Sequence, residues 1–427
     1  MKITVIGVGY VGLTTGVCLA EIGNDVLCVD KDKIKIVDLK QGKIPIYEPG
    51  LADKTLKNYQ NKKLNFSTSI KEGIDFADVI FIAVGTPAKY TGEADLTSVE
   101  TVVVDIAKKM TTYKIIVSKS TVPVETGKKI QETIRLYNRT TDFDIVSNPE
   151  FLREGSAVSD FLNPYRIVLG VNSQKAKDAM LEVYQNIDAP KIITDIESAE
   201  LIKHASNSFL ALKISYANAL SRICEKVGAD IEFVTQGMGY DSRIGKDFLN
   251  AGVGFGGSCF PKDLAAFIDI SNNCGYNFQL LKEVQKINDD QKQSFIDKIK
   301  EIVWNLKGKK FAVLGLSFKP NTDDMREAPS LDIIDSLLKE GAIVTAFDPV
   351  ATKNAKAILG DAITYAETIV DATKGADAVI ILTEWADFKN IDVANLKLKT
   401  PIIIDGRNIF DPLEMKKKGY IYKGIGR

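Results

Sequence analysis

Two rhythms alternate along the chain. Short runs of β-branched and other apolar residues are separated by longer stretches in which apolar positions recur every third or fourth residue. Lys2–Ile6 is the first such run, and a helix follows it as far as Ile22, where Gly23 ends it. Asp25–Val29 reads as a second strand that finishes at Asp30. Further strands read at 64–67, 79–84, 115–118, 144–147, 167–169 and 192–194, with helix-like segments between them. Strand and helix taking turns in this way predict a parallel, doubly wound sheet.

The rhythm changes at about Ile196. Residues 198–227 contain neither Pro nor Gly and keep helical periodicity, and Gly228 supplies a stop. About 30 residues at ~1.5 Å each predict a rod of about 45 Å. Its Ala and Ser content suits close packing against another element or a second subunit. Further helical segments carry the chain to about Leu306. The opening then recurs: a strand at 311–314 runs into Gly315, a helix starts near Ser330, and Ile343–Phe347 ends at Asp348. The predicted architecture is α/β, with two Rossmann-like doubly wound domains joined by a long central helix and a helical middle domain. The expected boundaries are 1–196, 197–300 and 301–427.

Composition narrows the function. A chain of 427 residues is expected to form two or three domains. It is 45% hydrophobic and 26% charged, with net charge −1, so neither a nucleic-acid nor a membrane-surface partner is expected. Its five cysteines are scattered without a CxxC pair, which argues against a disulfide framework or a metal site and for a reducing, cytoplasmic setting. The amino terminus is too glycine-punctuated for a signal peptide, and no run approaches the ~20 apolar residues of a membrane span. With His204 the single histidine, acid–base chemistry falls to Lys, Asp, Glu or water. His204 itself reads as a helix-surface or packing residue.

Gly7-x-Gly9-x-x-Gly12 sits between the first strand and its helix, and Asp30 lies 18 residues after Gly12. In that context the glycines bring backbone and helix N-terminus to a pyrophosphate, and the acid binds ribose hydroxyls. A carboxylate there repels a 2′-phosphate, so NAD is expected over NADP. Three polar clusters follow successive strands: Gly85-Thr86-Pro87, Ser120-Thr121-Val122-Pro123, and the segment from Asn148 to Gly155. Each could be turn chemistry alone; three at strand carboxyl ends point to a shared crevice. The second Rossmann-like turn, Gly315 to Pro320, lacks the glycine fingerprint and should take another phosphate-bearing ligand, with Lys319 as a point charge. Arg326 and Arg407 also stand in strand-end loops.

The stretch GFGGSCFPKD, residues 254–263, places Cys259 among glycines just before Pro261 and an apolar-periodic run. Proline there reads as a loop opening a helix, whose dipole together with Lys262 would favour a thiolate. A structural cysteine beside a Gly-rich turn is the other reading of this stretch.

In this order, GVGYVG, the GTP turn, STVP, SNPEFLREG, KHASN, GFGGSCFPKD, FKPNTDDMRE and DGRN resemble the UDP-glucose/GDP-mannose dehydrogenase family over essentially the whole chain. The resemblance implies oxidation of a primary alcohol of a nucleotide sugar, with UDP-glucose expected, to a carboxylate using two NAD⁺. It implies that Cys259 adds to the aldehyde so that a second hydride can leave. It assigns Lys203 and Asn207 to oxyanion stabilisation, Asp263 to proton removal, and Thr121 and Glu150 to the hydrolytic water. For NAD it implies Gly7, Gly9, Tyr10, Val11, Gly12, Asp30, Lys35, Thr86, Thr121, Glu154, Lys262 and Arg326. For the UDP-sugar it implies Phe151, Leu152, Glu154, Lys203, Asn207, Phe248, Leu249, Asn250, Ala251, Gly252, Gly256, Phe318, Lys319 and Arg407. Arg243 matches a position that reaches the neighbouring subunit's sugar site, and a homodimer or higher oligomer through the central helix is implied. Lys35 stands where many relatives have arginine. The alternatives are a GDP-mannose 6-dehydrogenase, a two-electron hydroxyacid dehydrogenase of the 6-phosphogluconate type, and a non-catalytic NAD and nucleotide-sugar sensor.

Overall fold

In a computed structural model, residues 1–87, 89 and 93–427 are described. The chain divides into two compact units. The first comprises Met1–Ser206 with Ala265–Gly275, and the second Asn207–Leu264 with Tyr276–Arg427.

The first unit is built on eight strands: β1 Lys2–Ile6, β2 Asp25–Val29, β3 Leu64–Ser67, β4 Val79–Ile82, β5 Lys114–Ser118, β6 Phe143–Ser147, β7 Ile167–Val171 and β8 Lys191–Thr194. They lie in the order β3-β2-β1-β4-β5-β6-β7-β8. The central strand β4 is apolar and buried at every position, and β5 is apolar over 115–117, because both faces are covered. Val79, Phe81, Ile115 and Val117 pack into one layer, and Ile80, Ile82 and Ile116 into the other. The expected all-parallel sheet needs one correction: β6 and β7 are antiparallel, pairing Val146 with Val171 and Ser147 with Gly170. The segment between them holds only the short helix Ala157–Leu162, and nothing in an apolar run records the direction of the strand. The fourth strand ends at Ile82 rather than residue 84, where Gly7 closes on Ala83.

The second unit contains β9 Lys310–Leu314, β10 Ile343–Phe347, β11 Thr364–Tyr365, β12 Ala378–Ile381, β13 Ile402–Asp405 and β14 Ile421–Lys423, all parallel. Their order is β11-β10-β9-β12-β13-β14, so it repeats the strand order of the first six strands of the first unit. In both sheets the order reverses beside the first strand, which is where a doubly wound sheet opens a crevice for ligand. β11 and β14 are too short to stand out in the sequence, at two and three residues.

The helix Ile196–Val227 contributes to both units, and Gly228, at φ +75°, stops it. Its buried positions in the second unit are small or polar: Asn207, Ser208, Ala211, Ser215, Ala217, Asn218, Ser221 and Cys224. Ser215 donates to the carbonyl of Val284 at 2.8 Å, on the helix Gln279–Ile302. The Ala and Ser content therefore does permit close packing, as expected. No described helix is long and apolar enough to cross a membrane.

Candidate active site

In the first unit the dinucleotide turn is shaped by its own backbone. Gly7 sits at φ +100°, and a Cβ there would lie 2.6 Å from the carbonyl oxygen of Ala83. A Cβ on Gly12 would meet the Gly7 carbonyl at 1.9 Å, so neither position tolerates a side chain. Gly9 differs: a Cβ there meets nothing within 4 Å, so backbone faces open space where a ligand can approach. It starts the helix Tyr10–Glu21, which has no side-chain cap and no acid in its first turn. Such an end offers free N–H groups and the positive end of a dipole. Asp30 Oδ2 accepts from Val8 N–H at 2.8 Å and Oδ1 from Asp32 N–H at 2.9 Å, and the side chain stays half-buried. This cradle fits the pyrophosphate and ribose of a dinucleotide. Val11 packs against the core, and Lys35 lies half-buried on Lys33–Lys40.

The phenol oxygen of Tyr10 accepts from Gly155 N–H at 2.8 Å, tying the glycine turn to the segment after β6. Glu48 reinforces the tie: its two carboxylate oxygens accept from Gly155 N–H at 2.6 Å and Ala157 N–H at 2.7 Å. Glu48 carries no motif, and sequence reasoning missed it. Hydrogen bonds join the three strand ends at or beside the polar clusters. Thr86 donates to the Thr121 carbonyl at 2.8 Å, and Ser120 Oγ to the Val84 carbonyl at 2.7 Å. Lys119 Nζ donates to Asn148 Oδ1 at 3.1 Å.

Glu150 and Lys203 meet there as a buried ion pair, 3.0 Å apart, with side chains 5% and 3% exposed. Glu150 Oε2 also accepts from Leu152 N–H at 2.6 Å. Lys203 is therefore no solvated surface lysine. Desolvation makes such pairs poor sources of stability, so their presence calls for a chemical reason. Phe151 lies under the Arg166 guanidinium at 3.5 Å and the Lys203 ammonium at 5.5 Å. Glu154 is also buried. His204 is a packing residue: its Nε2 lies 2.8 Å from the Val122 carbonyl and its ring packs near Phe267.

In the second unit Cys259 immediately precedes the helix Phe260–Asn273, as Pro261 predicted. Asp263 N–H donates to the Cys259 carbonyl at 2.8 Å and closes the first turn. The thiol is partly exposed, with Ser258 Oγ 3.7 Å away. Asp263 is 1% exposed; its Oδ2 accepts from Asn207 Nδ2 at 2.6 Å and its Oδ1 lies 3.2 Å from Lys262 Nζ. A buried carboxylate, a carboxamide and an ammonium thus stand one turn from the thiol. Lys203 and Asn207 are themselves one turn apart on Ile196–Val227.

The glycine-rich stretch before Cys259 is held by side chains and backbone from elsewhere in the second unit. Gly252 N–H donates to Asn218, Phe255 N–H to Asn288 and Gly257 N–H to the Arg326 carbonyl, all at 2.8–2.9 Å. A Cβ on Gly256 would lie 2.1 Å from the Glu327 carbonyl. Arg407 donates to the carbonyls of Leu382, Gly254 and Phe318 and pairs with Glu384 at 3.3 Å. It binds three loops together, a role the sequence did not suggest. Lys319 stands over the Phe318 ring. Phe248, at φ +64°, packs edge-on to Phe260; Leu249 and Ala251 are buried and Asn250 is exposed. Arg326 pairs with Asp324, while Arg243 is 88% exposed and held only to Asp241 among the described residues.

Comparison with known proteins decides the family. The profiles of the UDP-glucose/GDP-mannose dehydrogenase family match in chain order: its NAD binding domain over residues 1–188, its central domain over 197–290 and its UDP binding domain over 312–412. This chain belongs to that family. Its first Rossmann-like fold is therefore an NAD-binding domain. Among the family's curated members, UDP-glucose 6-dehydrogenase TuaD of Bacillus subtilis is 51% identical over 100% of this chain and 93% of its own length. UDP-glucose 6-dehydrogenase of Rhizobium meliloti is 44% identical with both chains fully covered. Of solved family structures, a UDP-glucose dehydrogenase from Pyrobaculum islandicum superposes with TM-score 0.94 at 37% identity, covering 100% of this chain and 97% of its own. A GDP-mannose dehydrogenase from Pseudomonas aeruginosa reaches TM-score 0.56 at 28% identity, over 99% of each chain.

Proposed function

We propose that this chain oxidises UDP-glucose to UDP-glucuronate, consuming two NAD⁺ and one water. The observation that carries the reading is Cys259 at the start of a helix whose first turn holds Asp263 buried against Asn207 and Lys262. Whole-length identity to UDP-glucose 6-dehydrogenases supports the choice of sugar, and the lower superposition score of the GDP-mannose enzyme disfavours that alternative.

When bound, NAD⁺ takes up a hydride from the sugar's C6 in each of two rounds. In the first, a proton leaves the 6-hydroxyl toward Asp263 through water, and Lys203 and Asn207 stabilise the developing oxyanion. The thiol of Cys259 then adds across the aldehyde, sulfur to carbon and proton to oxygen, giving a thiohemiacetal. Loss of the second hydride and a proton leaves a thioester. Water, positioned by Thr121 and activated by Glu150, cleaves the carbon–sulfur bond to release carboxylate and thiol. Gly7, Gly9, Gly12, Tyr10, Val11, Asp30, Lys35, Thr86, Glu154, Lys262 and Arg326 serve the cofactor. Phe151, Leu152, the 248–252 loop, Gly256, Phe318, Lys319 and Arg407 serve the UDP-sugar. The catalytic cysteine belongs to a middle domain at 197–300 between nucleotide domains at 1–196 and 301–427, in a cytoplasmic enzyme.

We also infer a homodimer through Ile196–Val227. Phe209, Tyr216 and Ile223 recur every seven residues on that helix and are 60%, 50% and 55% exposed, an apolar stripe suited to a second copy. Arg243 then reaches the partner's sugar site.

The deciding experiment measures NADH released per UDP-glucose consumed, with GDP-mannose as the competing substrate. Two NADH per UDP-glucose are expected, and the yield should collapse in Cys259→Ser while UDP-glucose still binds. One NADH per sugar, or undiminished acid formation in that variant, would sink the covalent route.

A further inference from the structure

One buried cation has no part in the chemistry above. Lys119 follows β5 directly, is 5% exposed, and donates to Asn148 Oδ1 at 3.1 Å while standing over the Phe161 ring at 5.9 Å. Asn148 is fixed independently: Tyr184 OH donates to the same oxygen at 2.6 Å, and Asn148 Nδ2 donates to the Val168 carbonyl at 2.8 Å. Among the described residues no carboxylate forms an ion pair with Lys119, yet a buried ammonium normally needs one. The charges that reach it are those of the neighbouring pair, Glu150 and Lys203. Burial pushes the Lys119 ammonium down to about 8, Glu150 opposes that fall, and Lys203 adds to it.

Without Lys119, the buried set of Glu150 and Lys203 is neutral only while the two stay together. Once Lys203 turns to an oxyanion on the substrate, Glu150 is left as a lone carboxylate in a site of low dielectric. We propose that Lys119 is a positioning residue for the reaction: its ammonium, anchored on Asn148, supplies the standing positive charge that lets Lys203 leave Glu150 for the substrate. The inference rests on the roles given above to Lys203 and Glu150.

The test compares full-length K119Q, which keeps an N–H for Asn148 but no charge, with K119R and the unaltered chain. With UDP-glucose and NAD⁺, K119Q should lose about 30-fold in kcat at pH 7, and the acid side of its kcat profile should move up by about one pH unit. KM for UDP-glucose should stay within about threefold, and K119R should keep the original profile, because the charge acts on the bound complex rather than on ground-state binding. In an E150Q background, adding K119Q should change kcat less than about twofold. A K119Q profile that superposes on that of the unaltered chain overturns the proposal. If K119Q is recovered unfolded, K119R is read in its place, and a pH-independent loss of kcat there overturns it equally. Failure of the underlying reading is distinguishable, since the unaltered chain would then not yield two NADH per sugar.

Discussion

The two Rossmann-like folds share a strand order and differ in what their acidic residue does. In the first, Asp30 accepts from two backbone N–H groups and remains half-buried. In the second, Asp348 occupies the matching place after β10 and is 3% exposed. Its Oδ2 accepts from Leu316 N–H, Ser317 N–H, the Ser317 hydroxyl and Trp385 Nε1, and its Oδ1 from Val350 and Ala351 N–H. The first carboxylate keeps capacity for a ribose; the second is spent on the protein. One architecture can thus leave its acid within reach of a ligand in one copy and consume it in the protein's own turns in the other.

The most damaging way to test this contrast is Asp348→Ala. It strands several buried donors and should cost about 3–4 kcal/mol of stability, read by urea denaturation. A loss under about 1 kcal/mol would mean the turn does not depend on that carboxylate. Next comes Gly9→Val, at a position where an added Cβ meets no atom within 4 Å. NAD affinity should fall about 100-fold while stability changes by less than about 0.5 kcal/mol, as measured by calorimetric titration and thermal melting. Asp30→Ala should weaken NAD about 30-fold and leave UDP-glucose binding within about twofold. Equal losses for the two ligands would erase the distinction between the folds.

The smallest effect concerns Glu200 in the first fold. It is buried, accepts from Gly127 N–H at 2.8 Å at the start of the helix Thr126–Tyr137, and burial pushes its pKa up to about 7. A carboxyl raised in the folded state contributes fully below its unfolded value and loses that contribution as pH climbs through about 7. Glu200→Gln should therefore match the unaltered chain near pH 4 and gain about 1–2 kcal/mol over it at pH 8, in paired melting curves. A constant difference at both pH values would assign the effect to packing instead.

How much was readable in the sequence varies with the kind of signal. The strand runs, the glycine fingerprint with Asp30 and the helix opened by Pro261 were legible because each rests on local chemistry. The reversal at β7 was not, since a strand covered on both faces reads the same in either direction. Glu48, Lys119, Arg166 and Tyr184 were missed because their roles come from contacts made far along the chain: Glu48 reaches Gly155, and Tyr184 reaches Asn148. Arg407 was readable only as an arginine in a strand-end loop, since its grip on three carbonyls depends on loops that the fold assembles.

The reversed seventh strand also decides where its preceding segment runs. A parallel partner would have obliged the chain to travel the length of the sheet before re-entering it, as happens after β1, β4 and β5. With β7 turned about, residues 148–166 leave and rejoin at the same rim. None of that stretch is consumed as return cable, so Asn148, Glu150, Phe151, Glu154 and Arg166 can all be stationed along one edge.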